Sequence, residues 1–212
     1  MPAIEYFFSA HSAFAYLGSA RLKAIAEAAG AGIIYKPMDL HAVLEAIGRA
    51  DFSGRSKAHK AYYFKREIDR WAEFRDAPVL GYRPTHHDND TSLSNGMLIA
   101  GLQQGLDIGE LAHAMLEGHW RYDADLDNRD TLAALAEKAG FEPAPLLAAA
   151  LSEEIQSIYR ANTRDAISRS VFGSPTYFVD GDMFYGQDRL ELVERALEKP
   201  FDGDWPITNP AQ

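Results

Sequence analysis

Two short stretches of this chain carry residues suited to holding a negatively charged ligand. In Ser9-Ala10-His11-Ser12-Ala13-Phe14 a helical pattern begins just after Ser12, so its hydroxyl and the nearby backbone amides can stabilise negative charge, assisted by the helix dipole. Serine is also a preferred N-cap, and the local sequence alone leaves the cap and the catalytic reading both open. The second stretch, Phe172-Gly173-Ser174-Pro175-Thr176-Tyr177-Phe178-Val179-Asp180-Gly181, joins a turn, a proline and an apolar strand before a tight hairpin. It reads as a ligand-cradling edge. The chain contains no cysteine, which excludes disulfide exchange as a self-sufficient activity and any zinc site built on thiolates.

Other reactive side chains offer less. His86-His87-Asp88-Asn89-Asp90 has metal-ligating chemistry, yet neighbouring loop side chains diverge and no HExxH spacing brings them together; no metal is expected. Alternation at a strand end points His11 away from the Ser12 site, and no carboxylate partner completes a triad, so packing is its expected role. Tyr62-Tyr63-Phe64 and Trp71 could wall a pocket for a bicyclic ligand, but aromatic stripes at helical spacing usually serve the core. Lys57, Lys60, Lys65 and Arg66 read as a solvated helix face that adds positive potential.

The elements that must position these groups follow from periodicity. Residues 4–8 suit a buried strand, residues 14–29 place Phe14, Leu17, Ala20, Ala24 and Ala28 on one helical stripe ended by Gly30, and residues 32–36 form a second strand. A connection of this length favours a right-handed parallel crossover. Near the C-terminus, residues 176–179 form a strand, Asp180-Gly181 supplies the positive φ values of a two-residue hairpin, residues 183–185 return, and residues 189–197 form a helix with Asp188 and Glu191 spaced as a capping box. The two ends give βαβ and ββα, an α/β thioredoxin-like fold. Between them lie helices expected at residues 39–47, 57–75, 93–104, 108–122 behind an Asp107/Glu110 capping box, 131–139 and 145–162. The expected organisation is a thioredoxin-like domain of residues 1–38 and 165–212, with residues 39–164 as an all-helical insertion. Residues 76–90 form the longest irregular connection, and such loops are often functional; they are expected at the mouth of the site.

Composition sets the outer bounds. A chain of 212 residues, 47% hydrophobic and 25% charged, can bury a substantial core. A formal charge of −10 disfavours nucleic acid and anionic membranes as partners. No apolar run is long enough to cross a bilayer, and the start, Met1-Pro2-Ala3-Ile4-Glu5, lacks a basic region followed by an apolar signal core. These features predict a cytoplasmic protein.

The ordered motifs resemble those of the kappa-class glutathione transferases and, more closely, the 2-hydroxychromene-2-carboxylate isomerases, within the DsbA-like superfamily. The segment from Tyr6 to Leu17 is similar to that family's YFDxxSPxxYL start, Phe172-Gly173-Ser174-Pro175-Thr176 to its FGVPT loop, and Tyr185-Gly186-Gln187-Asp188-Arg189-Leu190 to its WGxDRL motif. The Arg70-Trp71-Ala72 helix and the Trp120 region also resemble parts of the family's helical insertion.

The resemblance implies a glutathione cofactor. Ser12 would donate a hydrogen bond to its sulfur, Ser174 before a cis Pro175 would pair its backbone with the tripeptide, Asp188 would bind the γ-glutamyl ammonium, and Gln187 with the Tyr185-Gly186 backbone would hold the adjoining carboxylate. It further implies reversible addition of the thiolate to a conjugated double bond, which can then rotate, interconverting 2-hydroxychromene-2-carboxylate and trans-o-hydroxybenzylidenepyruvate during naphthalene-type aromatic degradation. A small aromatic carboxylate is thus the expected substrate and a homodimer the expected state. Where the family has Asp and Pro in its first motif this chain has Ser9 and Ala13. The family's substrate-facing lysine and asparagine fall at Leu44 and Gly54, leaving Arg55 as the retained substrate contact. A kappa-like transferase and a catalytically silent thioredoxin-fold binding protein are the alternative readings.

Overall fold

The computed structural model describes residues 1–48, 54–203, 205 and 206. Strand β1 (Ala3–Phe8) lies inside a four-stranded sheet ordered β2-β1-β3-β4. β2 (Gly32–Pro37) runs parallel to it, with Ala3 opposite Gly32 and Phe8 opposite Pro37. On the other side β3 (Thr176–Val179) is antiparallel, with Glu5 opposite Phe178, and β4 (Asp182–Tyr185) returns along β3. Asp180 and Gly181 turn that hairpin at φ 49° and 89°, the left-handed pair that matches the twist of the strands.

The crossover helix α1 (Ala13–Ala29) ends at Gly30, whose φ of 59° lets its N–H reach the last carbonyls. Alternation along β1 sends Ile4, Tyr6 and Phe8 into one buried cluster with α1, and Phe7 into a second cluster with Met38, Val43, Ala166, Val171 and Phe178. Tyr6 stacks on Phe8 and Tyr177 at 4.4 and 5.3 Å between centroids. On the Phe7 side, Glu5 accepts from Arg169 at 2.7 and 2.8 Å and lies 2.9 Å from Lys36.

After β2 come α2 (Leu40–Ala46), α3 (Lys57–Ala61), a π-helical turn over Tyr62–Arg66 and α4 (Glu67–Arg75). The helix expected at residues 57–75 is therefore continuous but widened in its middle. Next are α5 (Ser92–Gln103), α6 (Gly109–Tyr122), α7 (Arg129–Lys138), α8 (Pro143–Ala150) and α9 (Glu153–Ser168). The single helix expected over residues 145–162 is two helices, because Ser152 leaves helical geometry at ψ 152° and caps α9 by accepting from the Ile155 N–H. α9 then runs to Ser168, and the larger buried cluster extends unbroken from the sheet into these helices.

The chain closes through a 3₁₀ turn (Gln187–Arg189) and α10 (Leu190–Glu198). Neither expected capping box forms. Glu191 pairs with Arg75, Asp188 with Arg189, and Glu110 with Lys23, while Asp107 accepts from the Gly109 N–H. Long-range ion partners have outcompeted the local backbone bonds. Gly18 permits the 3₁₀ turn to sit against α1: a Cβ there would lie 2.7 Å from that of Gln187.

Candidate functional site

A cavity of about 860 Å³ opens where α1 begins. Ser12 forms its floor. The residue is buried, with extended backbone (ψ 121°) as the N-cap of α1, and its Oγ accepts from the Ala15 N–H at 3.3 Å while donating to the Ser174 carbonyl at 3.0 Å. The cap is thus formed, and the hydroxyl proton is directed across the site rather than into the helix. Ser174 precedes a cis Pro175, and its own Oγ accepts from the Ser9 N–H at 3.2 Å. Tyr185 covers Gly173 so closely that a Cβ there would meet its ring at 2.3 Å.

Of the residues singled out from sequence, Ser12, Ser174 and Tyr185 line this cavity together. Gly186, Gln187, Asp188 and Arg55 are not on its wall. Gly186 takes φ 100° and passes the chain into the 3₁₀ turn. Gln187 is buried against α1 and accepts from Arg75 Nε at 3.3 Å. Asp188 is bonded to Arg189 at 2.6 Å, and Arg55 sits over the Tyr63 ring at 5.5 Å. Leu44 lines the cavity, as does Lys60 from α3.

The opposite wall is aromatic. Tyr63 and Phe64, from the π turn, face inward with Phe14, whose ring lies 5.2 Å from that of Tyr63. The widened turn displaces these rings from the helical stripe that periodicity alone assigns to the core. Trp71 keeps a packing role against the core cluster. Burial raises the Tyr63 hydroxyl well above its ordinary pKa of 10.0, with Tyr185 beside it.

Histidines close the third side, and here the expectation for His11 fails. The strand ends at Phe8, and the Ser12 N–H donates to the Ser9 carbonyl at 3.0 Å, so residues 9–12 form a turn to which strand alternation no longer applies. His11 lines the cavity, its Nδ1 is 2.9 Å from Ser9 Oγ, and Trp120 Nε1 donates to its carbonyl at 2.8 Å. His87 comes from the 76–90 connection, which supplies Leu80, Tyr82, Arg83 and Asp88 to the rim as well. Its ring meets His11 at 5.0 Å and stacks on His119 at 5.2 Å. Burial lowers all three imidazoles, His11 to about 4 and His87 to about 3, so they are neutral near pH 7. Their convergence depends on a loop, a turn and α6, which no local spacing reveals. Among the described residues no group of three or more His, Asp or Glu is arranged to hold a metal ion, and no helix is long and apolar enough to cross a membrane.

Comparison with known proteins agrees with this architecture. The chain is 29% identical over 194 residues to a 2-hydroxychromene-2-carboxylate isomerase of Pseudomonas sp. (strain C18), an alignment covering 92% of this chain and 89% of the relative. It is 28% identical to the protein of the same name from Sphingobium xenophagum, covering 92% and 97%. A solved structure of a 2-hydroxychromene-2-carboxylate isomerase superposes with a TM-score of 0.74 at 28% identity, covering 92% of this chain and 94% of the other. A probable DsbA oxidoreductase from Streptomyces coelicolor, at 17% identity, shares the fold with a TM-score of 0.75 over 99% and 94% of the two chains. Residues 3–198 match the DSBA-like thioredoxin domain, and the chain belongs to that family.

Proposed function

We infer that this chain is a glutathione-dependent isomerase that interconverts 2-hydroxychromene-2-carboxylate and trans-o-hydroxybenzylidenepyruvate. The carrying observation is the 3.0 Å contact between the Ser12 hydroxyl and the Ser174 carbonyl, at the start of α1, on the floor of an aromatic-walled cavity in a chain without cysteine. Named isomerases as relatives along nearly the whole chain support it.

Ser12 and Ser174 suit the sulfur and backbone of glutathione. Ser12 Oγ–H and the first free N–H groups of α1 are donors suited to a thiolate, and the Ser174 backbone beside cis Pro175 offers polar groups to a peptide. Asp188, off the cavity wall and paired with Arg189 at 2.6 Å, would bind the γ-glutamyl ammonium by exchanging that partner. Bound glutathione would supply a thiolate that adds reversibly to the conjugated carbon, making the double bond single so that it can rotate. Ser12 would turn its proton from Ser174 toward the sulfur and favour its anionic form. Tyr63, Phe64 and Phe14 would flank the aromatic ring and exclude water. Lys60, which has no carboxylate partner among the described residues, would attract the substrate carboxylate where Leu44 cannot. Turnover of the purified protein with and without glutathione, read by product spectrum and free-thiol count, tests this. Isomerisation leaves the thiol count unchanged; consumption of thiol would indicate transfer instead, and glutathione-independent turnover would reject the cofactor.

A further inference from the structure

The hydrogen bonds around the three histidines fix where their protons sit. Asn95 Oδ1 accepts from the Ala10 N–H at 3.1 Å, so its Nδ2 lies on the other side and donates to Ser9 Oγ at 3.2 Å and to Tyr159 Oη at 3.2 Å. Ser9 Oγ, already an acceptor, has one proton to place, and His11 Nδ1 lies 2.9 Å away. Ser9 is fully buried and no other acceptor for its proton stands among the described residues, so His11 Nδ1 accepts it and the neutral ring carries its own proton on Nε2. On the other branch, His119 Nδ1 lies 2.9 Å from the Ala124 carbonyl, which can only accept. His119 Nε2 is then a lone pair, and His87 Nδ1, 2.9 Å from it, must be the donor. The neutral His87 ring is left with a bare Nε2.

Both remaining nitrogens belong to rings that line the cavity. Neither has a hydrogen-bond partner among the described residues, and neither is sealed from solvent. One is a donor and the other an acceptor, on neighbouring rings whose centroids lie 5.0 Å apart at 62°. We propose that His11 Nε2–H and His87 Nε2 form a hydroxyl-binding pair beside Ser12, selecting a ligand oxygen that both accepts and donates a hydrogen bond, such as a phenol. Burial keeps both rings neutral, His11 at about 4 and His87 at about 3, which preserves this polarity at physiological pH. A carboxylate, which cannot donate, would leave His87 unsatisfied. An ether oxygen fails in the same way. Trp120 fixes the pair from behind through the His11 carbonyl and an edge-on contact with His87 at 5.3 Å.

The subsite stands on the hydrogen-bond geometry of two neutral rings; the further step, that its ligand is the ortho-phenolic oxygen of an arylidene keto acid, rests on the isomerase reading above. Equilibrium titration with 2-hydroxycinnamate, 2-methoxycinnamate and cinnamate, followed by tryptophan fluorescence, tests the subsite without turnover. The hydroxyl compound is expected to bind about tenfold more tightly than either analogue, because each of those, once it covers the pair, leaves at least one ring nitrogen unpaired. His11→Phe and His87→Phe are each expected to bring the three affinities together while circular dichroism stays unchanged. ¹⁵N imidazole spectra of the parent protein are expected to show His11 protonated at Nε2 and His87 at Nδ1, a readout that needs no variant to fold. Equal affinities in the parent, no saturable binding of 2-hydroxycinnamate, or the opposite tautomers would each overturn the proposal. Hydroxyl preference without isomerase activity retires the reaction and keeps the subsite; activity without the preference does the reverse.

Discussion

Replacing Ser12 with alanine separates its two duties by what each loss changes. The variant loses a cap bond from the Ala15 N–H, 3.3 Å long, and a bond to the Ser174 carbonyl, 3.0 Å long. Loss of an N-cap costs about 1 kcal/mol, and the Ser174 bond about another 1 kcal/mol because both partners are neutral. The fold, with two buried clusters, should survive a loss of about 2 kcal/mol. The chemical loss is comparable in size but falls on the reaction. A hydrogen bond to a charged group contributes about 1.5–3 kcal/mol, so the thiol of bound glutathione should rise by about 1–2 pKa units in Ser12→Ala. Turnover should fall about 10- to 100-fold, with glutathione affinity near neutral pH changing far less. Ser12→Thr keeps the hydroxyl and the cap, and should recover most of both. Thiolate absorbance of the bound tripeptide against pH, measured beside kcat, checks the assignment. A folded Ser12→Ala variant that binds glutathione with an unmoved thiol pKa and with kcat within about twofold of the parent would refute it.

Two further predictions concern other parts of the molecule. Glu5 is held down to about 2 from 4.5, first by its hydrogen bonds to Arg169 and then by Lys36, so its contribution to stability is complete above pH 4.5 and disappears as pH falls through 2. Glu5→Gln should therefore cost about 1–2 kcal/mol in urea unfolding at pH 7, allowing for partial exposure, and the gap from the parent should narrow on acidification; a gap independent of pH would contradict the assignment. Lys60→Met should raise KM for the carboxylate substrate about three- to tenfold at low salt, with kcat retained and the difference shrinking as salt screens it; an unchanged KM would remove Lys60 from substrate binding.

How much of this was legible in the sequence depended on whether the signal was local. Gly30, Asp180-Gly181 and Ser12 were readable because a positive φ, a hairpin and a cap are decided within four residues. The buried strand at residues 4–8 is readable from its apolar run, and the crossover through α1 from the length of the connection. Glu191 and Glu110 misled, because their distant partners Arg75 and Lys23 have no sequence signature. Tyr63 and Phe64 were assigned by a regular helical period that the π turn breaks. Strand alternation misplaces His11, because the strand stops at Phe8. Its environment is supplied by Asn95, Trp120 and His87, and only the tertiary fold brings these together. The zero cysteine count was the exception: a global property, visible at once, that constrains the chemistry whatever the fold.

The bond from Ser12 to Ser174 also predicts which form of the tripeptide is preferred. Before any ligand binds, the Ser12 proton already has a neutral acceptor, and turning it toward a sulfur breaks that bond. A neutral thiol or thioether is a weak acceptor, so the exchange gains nothing. A thiolate accepts a charge-assisted bond roughly twice as strong as the neutral one it replaces, and the turn also releases the Ser174 carbonyl to accept from the backbone of the ligand. The Ser12–Ser174 pair is then a comparison between two acceptors that only the ionised sulfur wins. Glutathione affinity should rise with pH through the pKa of the bound thiol, whereas that of S-methylglutathione should stay flat and lie about tenfold weaker above that pKa. In Ser12→Ala most of this difference should vanish, since no proton remains to be redirected. Equal affinity of the two tripeptides for the parent protein at high pH would show that the Ser12 hydroxyl stays on Ser174 and takes no part in choosing the thiolate.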